Sequence, residues 1–208
     1  MFIDVEKATV ALQGKGGQGV LVNGNLILTA AHCVTYSLEG YMTMGDHYME
    51  EIKTKDGDLL QVCPWAVEPV SDMAVLGALD EQECSDEAEA FEVFCDQTKP
   101  IPIFKGTLAF RESLKVWVYT HLGTWLHGKV TPFSTQNFHQ ICLEAEEAII
   151  GGTSGGPIVN EEGELVGIVS TSEEKPESPT GGYVGNTPRP LLALPTWICH
   201  QIESAEGR

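Results

Sequence analysis

Gly151-Gly152-Thr153-Ser154-Gly155-Gly156-Pro157 sets a serine in a run of glycines, with Ile149-Ile150 before it and Ile158-Val159 after. Glycine reaches backbone angles closed to other residues and lets a ligand approach the main chain closely. Such a loop can aim several backbone N–H groups at one point, where a developing negative charge is held. A serine hydroxyl there is still a poor nucleophile. It needs a base within hydrogen-bond reach and a third group to orient that base. A chain that uses this serine chemically must therefore also supply a histidine and a carboxylate in suitable settings.

The histidine and carboxylate have to be sought among short strands. With 22 glycines and 11 prolines in 208 residues, the chain favours turns and short strands over long helices. Residues 8–12 and Val20-Leu21-Val22 read as strands, and Asn23-Gly24 before Asn25-Leu26-Ile27-Leu28-Thr29 is a strong hairpin signal. The return strand runs into Ala30-Ala31-His32-Cys33, where small alanines leave room for a turn or short helix under His32. Tyr41–Met44 and Leu59–Val62 read as further strands, with Lys55–Asp58 as a turn between them. Asp72 then heads the apolar run Met73-Ala74-Val75-Leu76. A carboxylate buried at the start of a strand needs a partner, and a histidine N–H would satisfy it.

From Asp80 to Asp96 the composition turns acidic, which reads as a solvated connection between two halves. Beyond it Leu114–Tyr119, Gly128–Val130, Phe138–Leu143, Pro157–Asn160 and Leu165–Ser170 are strand-like. Residues 173–182 form a surface loop. Leu191, Leu192, Leu194, Trp197, Ile198 and Ile202 then suit a helix packed on the body. The expected organisation is residues 1–80 with His32 and Asp72, an acidic connection over 81–99, and residues 100–208 with Ser154 and the final helix. Together they make two β-rich halves.

The net charge of −18, from 30 acidic and 12 basic residues, argues against nucleic acid or an anionic membrane as partner. No apolar run is long enough to cross a bilayer. No basic region followed by an apolar core opens the chain, so it reads as cytoplasmic unless a leader has been removed. Cys33, Cys63, Cys84, Cys95, Cys142 and Cys199 form no C-x-x-C pair and are irregularly spaced, so free thiols are expected in place of zinc ligands or a disulfide framework. No metal or other cofactor is called for.

Thr29-Ala30-Ala31-His32-Cys33, Asp72-Met73-Ala74-Val75-Leu76 and Gly152-Thr153-Ser154-Gly155-Gly156-Pro157 resemble the three catalytic blocks of the chymotrypsin/trypsin-like serine proteases, in that family's order. The resemblance spans nearly the whole chain. It implies an all-β fold of two six-stranded antiparallel barrels with a C-terminal helix, and an active site between the barrels. It further implies Ser154 as nucleophile, His32 as general base and Asp72 as its orienting carboxylate, with the N–H groups of Gly152 and Ser154 as the oxyanion hole. A protein or peptide substrate follows. His47, His121, His127, His139 and His200 lack such a context and read as surface or structural.

Three departures from the digestive members stand out. Thr153 replaces the aspartate that receives a freed amino terminus, and no Ile-Val-Gly-Gly start is present, so activation by N-terminal cleavage is not expected. A threonine or asparagine there is more like bacterial and viral members, including HtrA-like proteases. The usual cysteine partner of Cys33 would fall near Gly17. The peptide-binding extension of HtrA-like members is not expected after the final helix. By the family's spacing, Ala148 and Ile149 form the floor of the substrate pocket, and Ser170, Thr171 and Ser172 form its wall. The floor favours a small or apolar side chain, while Glu144, Glu146, Glu147, Glu173 and Glu174 would attract a basic one.

The leading reading is an active endopeptidase, in one version dependent on an activating protein partner or ligand. A catalytically silent binding module of the same fold, and an esterase acting on small substrates, remain open beside it.

Overall fold

The Asn23-Gly24 signal is a hairpin. β2 (Gln18–Val22) returns as β3 (Leu26–Thr29), and Gly24 (φ 85°) and Asn25 (φ 57°) take the left-handed angles that a tight turn between twisted strands demands. The structure, a computed structural model, describes residues 2–35, 49–108, 112–132, 140–170 and 182–206. The expected strand over Tyr41–Met44 and nearly all of the 173–182 loop lie outside the described residues, as do Thr171, Ser172, Glu173, Glu174, His47 and His139.

Around that hairpin a barrel closes. α1 (Ile3–Ala8) leads into β1 (Thr9–Leu12), and β4 (Glu50–Lys53), β5 (Leu59–Glu68) and β6 (Met73–Gly77) complete the order β1-β2-β3-β6-β5-β4, with β1 pairing β4. β2, β3 and β6 are buried along their whole length, as strands enclosed on both faces must be. The second half is an antiparallel sheet of β7 (Leu114–Tyr119), β8 (Trp125–Pro132), β9 (Gln140–Ala145), β10 (Pro157–Val159), β11 (Leu165–Ile168) and β12 (Tyr183–Pro188), ordered β11-β10-β7-β8-β9-β12. It curls until β11 nears β12. A Cβ on Gly167 would lie 3.0 Å from Thr187 Oγ1. The fold is thus one closed barrel and one curled half-barrel, the two-barrel architecture that the resemblance implies.

Three elements differ from the expected pattern. α1 is a helix whose Val5 and Ala8 are buried, and Phe2 before it packs on the rings of Trp117 and Trp125 at 5.6 and 4.9 Å. Glu6 of α1 accepts hydrogen bonds from Trp125 Nε1 (3.0 Å) and Lys55 Nζ (3.3 Å), and Lys55 also donates to Tyr119 Oη at 2.7 Å. This network spans both halves. The acidic connection holds α2 (Ser85–Gln97), a helix with Ala88, Phe91 and Cys95 buried.

The C-terminal helix comes in two pieces, α3 (Pro190–Ala193) and α4 (Thr196–Glu206). Leu194 between them is extended, as a residue before proline prefers. Ile198 and Ile202, four apart, form the buried stripe, whereas Leu192 and Trp197 are 42% and 51% exposed. Trp197 sits off that stripe and faces Trp65 of β5, ring centres 6.5 Å apart. No helix among the described residues is long and apolar enough to cross a membrane.

Candidate active site

Strand pairing puts the histidine beside the aspartate. β3 pairs β6 with Thr29 opposite Ala74, so the residues after β3 meet those before β6. Ala31–Cys33 form one 3-10 turn over two buried alanines, and Ala31 N donates to Asp72 O at 3.2 Å. Asp72 holds φ 58°, a left-handed angle uncommon for any residue but glycine, though aspartate tolerates it better than most. That angle turns its carboxylate under the imidazole. His32 Nδ1 donates to Asp72, at 2.8 Å from Oδ2 and 3.0 Å from Oδ1, and the His32 backbone N–H donates to Oδ1 at 3.0 Å. Ser170 Oγ donates to Oδ2 at 2.5 Å.

The two side chains differ in exposure, 15% for Asp72 and 39% for His32. Burial pushes the Asp72 carboxyl up, but the hydrogen bonds from the His32 ring, Ser170 and the His32 backbone together outweigh it and hold the group below its ordinary 3.8. The hydrogen bond to Asp72, then contact with Cys33, raises His32 above its ordinary 6.5 against the opposing effect of burial. A carboxylate on Nδ1 keeps the proton of a neutral ring there and leaves Nε2 as an acceptor.

The serine loop is built from two successive turns. Thr153 N donates to Ile150 O at 3.3 Å and Gly156 N to Thr153 O at 2.9 Å. Gly152 (φ 94°) and Gly155 (φ 79°) stand third in these turns, where a positive angle calls for glycine. The loop is fastened to both halves. Gln18 N donates to Ser154 O at 2.7 Å, Gly155 N to Val169 O at 2.7 Å and Val169 N to Gly156 O at 2.9 Å. Ser170, on Asp72, directly follows Val169. Ser154 O also lies beside Cys33. A Cβ on Gly17 would sit 2.9 Å from that oxygen and 2.6 Å from Cys33 Sγ. Gly17 thus stands where the resemblance places a cysteine partner, and Cys33 is in no disulfide.

Crowding at Gly155 is severe, since a Cβ there would lie 2.5 Å from Thr29 Oγ1 as well as at a strained φ. Gly155→Ala is expected to cost at least about 1–2 kcal/mol, read as a lower urea midpoint than wild type. An unchanged midpoint would show that the loop is not packed in this way.

The N–H groups of Gly152 and Ser154 donate to no other described residue. Neither does a hydrogen bond join His32 Nε2 to Ser154 among the described residues. Of the pocket residues expected from spacing, Ala148 is exposed, Ile149 packs on the core of the second sheet, and Ser170 turns its hydroxyl to Asp72. Glu144 is ion-paired with Lys129 at 2.9 Å, while Glu146 and Glu147 are exposed. No group of His, Cys, Asp or Glu among the described residues is arranged to hold a metal. His121 was given no place at the site by its sequence context, yet its Nδ1 lies 3.1 Å from Thr153 Oγ1.

A crystal structure of a serine endoprotease from Yersinia pestis matches all of this chain and 68% of its own, at 21% identity and a TM-score of 0.62. The Rv3671c protease from M. tuberculosis in its active form matches 98% of this chain and 82% of its own, at 12% identity and a TM-score of 0.61. Its inactive form matches 98% and 91%, at 13% identity and a TM-score of 0.59. Active and inactive forms fit almost equally, so the likeness is one of fold. No curated protein matches significantly. The family model described as Trypsin matches residues 4–188, and the chain belongs to the trypsin family.

Proposed function

We propose that the chain is a serine endopeptidase that cuts protein substrates through an acyl-enzyme. Ser154 Oγ attacks the scissile carbonyl carbon while His32 Nε2 takes its proton. The imidazolium so formed is held by Asp72, and the same proton passes to the departing amine. Water then repeats the sequence in reverse roles and frees the acyl group. The N–H groups of Gly152 and Ser154 receive the oxyanion, at about 2.7–4 kcal/mol per donor. The observation that carries this reading is the pairing of His32 Nδ1 with both oxygens of Asp72, together with N–H groups of Gly152 and Ser154 that donate to no other described residue.

The His32–Ser154 hydrogen bond that would complete the relay is of the kind that tightens when substrate binds. Its absence among the described residues also favours the second reading, a catalytically silent binding module, and the version in which a partner or ligand assembles the site. For the side chain before the cut, the apolar Ala148 and Ile149 favour a small or apolar residue, while the exposed Glu146 and Glu147 favour a basic one.

A fluorophosphonate probe tests the reading. The expected outcome is covalent labelling of wild type, with none of Ser154→Ala and almost none of His32→Ala. Equal labelling of wild type and Ser154→Ala would exclude Ser154 as nucleophile. No labelling of any of them would favour the binding module.

A further inference from the structure

The turn between β7 and β8 carries an imidazole that the proposed reaction leaves unused. Thr120 N donates to Thr124 O and Gly123 N to Thr120 O, both at 2.9 Å, and the hydroxyls of Thr120 and Thr124 lie 2.7 Å apart. At the base of this turn the Tyr119 and Trp125 rings pack at 4.9 Å and Lys55 donates to Tyr119 Oη. His121 therefore stands on a fixed platform. Its ring faces the serine loop at two adjacent residues. Nδ1 is 3.1 Å from Thr153 Oγ1, and Cγ and Nδ1 lie 3.3 Å from where a Cβ on Gly152 would be. Thr153 is fully buried, whereas His121 is exposed on its far side.

The peptide between Gly151 and Gly152 is the central unit of the turn from Ile150 to Thr153. With glycine on both sides it can flip at little cost, exchanging a turn with positive φ at its third residue for one with negative φ. In the peptidase reading, a flip carries the Gly152 N–H away from the point where it and the Ser154 N–H would meet the oxyanion. Nothing within the loop's own hydrogen bonds fixes that peptide, since the loop's anchors to Gln18 and Val169 all lie at or beyond Ser154. From outside the loop, His121 reaches both Gly152 and Thr153.

We propose that His121 is a positioning residue for the oxyanion-binding peptide. It fastens Thr153 through its hydroxyl and covers one face of Gly152, so that the Gly152 N–H stays turned toward the substrate carbonyl. This rests on the serine endopeptidase reading above. The hydroxyl of Thr153 serves as donor or acceptor to whichever tautomer His121 adopts, so the latch uses geometry and not charge.

The test measures fluorophosphonate acylation and turnover of a peptide ester in wild type, His121→Ala, His121→Gln, Thr153→Val, Thr153→Ser and the His121→Ala/Thr153→Val double variant. His121→Ala is expected to lose about 10- to 100-fold in kcat with KM nearly kept, a smaller loss than removing an oxyanion donor outright. Thr153→Val should match it, and the double variant should lose no more than either single one, because the two residues act through each other. His121→Gln and Thr153→Ser should recover most of the rate. A wild type that is labelled while His121→Ala labels as fast overturns the inference and leaves the peptidase reading standing. Multiplicative losses in the double variant overturn it too. A wild type that is not labelled at all removes the reaction and the positioning role with it.

Discussion

Asp72→Asn is expected to slow acylation by about 10⁴-fold without unfolding the chain. Asparagine is the informative replacement because it tolerates the left-handed φ of 58° at this position about as well as aspartate does. It also keeps one oxygen to accept from Ser170 or the His32 backbone. What changes is the partner of His32 Nδ1. An amide N–H₂ turned toward the ring makes Nδ1 the acceptor and moves the proton to Nε2, so the nitrogen facing Ser154 can no longer act as a base. The pH profile should change with it. In wild type the pairing with Asp72, followed by contact with Cys33, raises His32 above 6.5. Acylation needs the neutral ring, so the wild-type rate should still climb on the alkaline side of 6.5, and the limb should move to lower pH in Asp72→Asn. A loss of less than tenfold with an unmoved limb would remove Asp72 from the mechanism.

The same pair makes a stability prediction of defined sign. The raised His32 contributes stability that is fully present below 6.5 and lost as pH rises through its higher folded value. The lowered Asp72 contributes stability present above 3.8 and lost as pH falls through its lower folded value. The destabilisation caused by Asp72→Asn should therefore be largest between 3.8 and 6.5 and should shrink on the alkaline side. Urea midpoints at pH 5 and at high pH check this; equal differences at both would show that the pair is not coupled in the folded state.

Much of the fold and the site was legible because it is written in local chemistry. Asn23-Gly24 marks a hairpin whatever surrounds it, and Asp72 before an apolar strand predicts a satisfied carboxylate. Spacing can also show that glycines frame Ser154. What escaped depends on tertiary placement. β12 carries Gly185, Asn186 and Pro188, a poor strand composition, and is a strand because it pairs with β9 along its full length. α1 is six residues long, too short for periodicity to declare itself. The seat of Ser170 on Asp72 joins residues 98 apart, and that of His121 on Thr153 joins residues 32 apart. No local pattern links either pair.

Phe91→Ala should be among the most destabilising single substitutions in the chain, at about 3–5 kcal/mol. The acidic composition of 81–99 reads as a solvated connection, and most of α2 is indeed exposed, with Asp86 and Glu87 placed favourably at its amino end. But Ala88, Phe91 and Cys95 recur at helical spacing on one face, and of these only Phe91 is large. It is 0% exposed within the core that joins the first barrel to α4, with the ring of Phe94 6.3 Å away. Burial of the same face pushes the Cys95 thiol up to about 12. Cys84 gives α2 no side-chain cap, so packing and not local propensity holds the helix in place. Removing the ring should lower the urea midpoint sharply and release the α2 amides to hydrogen exchange ahead of those of β2 and β3. Glu89→Ala, on the exposed face, should stay within about 0.5 kcal/mol of wild type. If Phe91→Ala cost no more than Glu89→Ala, α2 would be a passenger on the barrel and the segment a solvated connection after all.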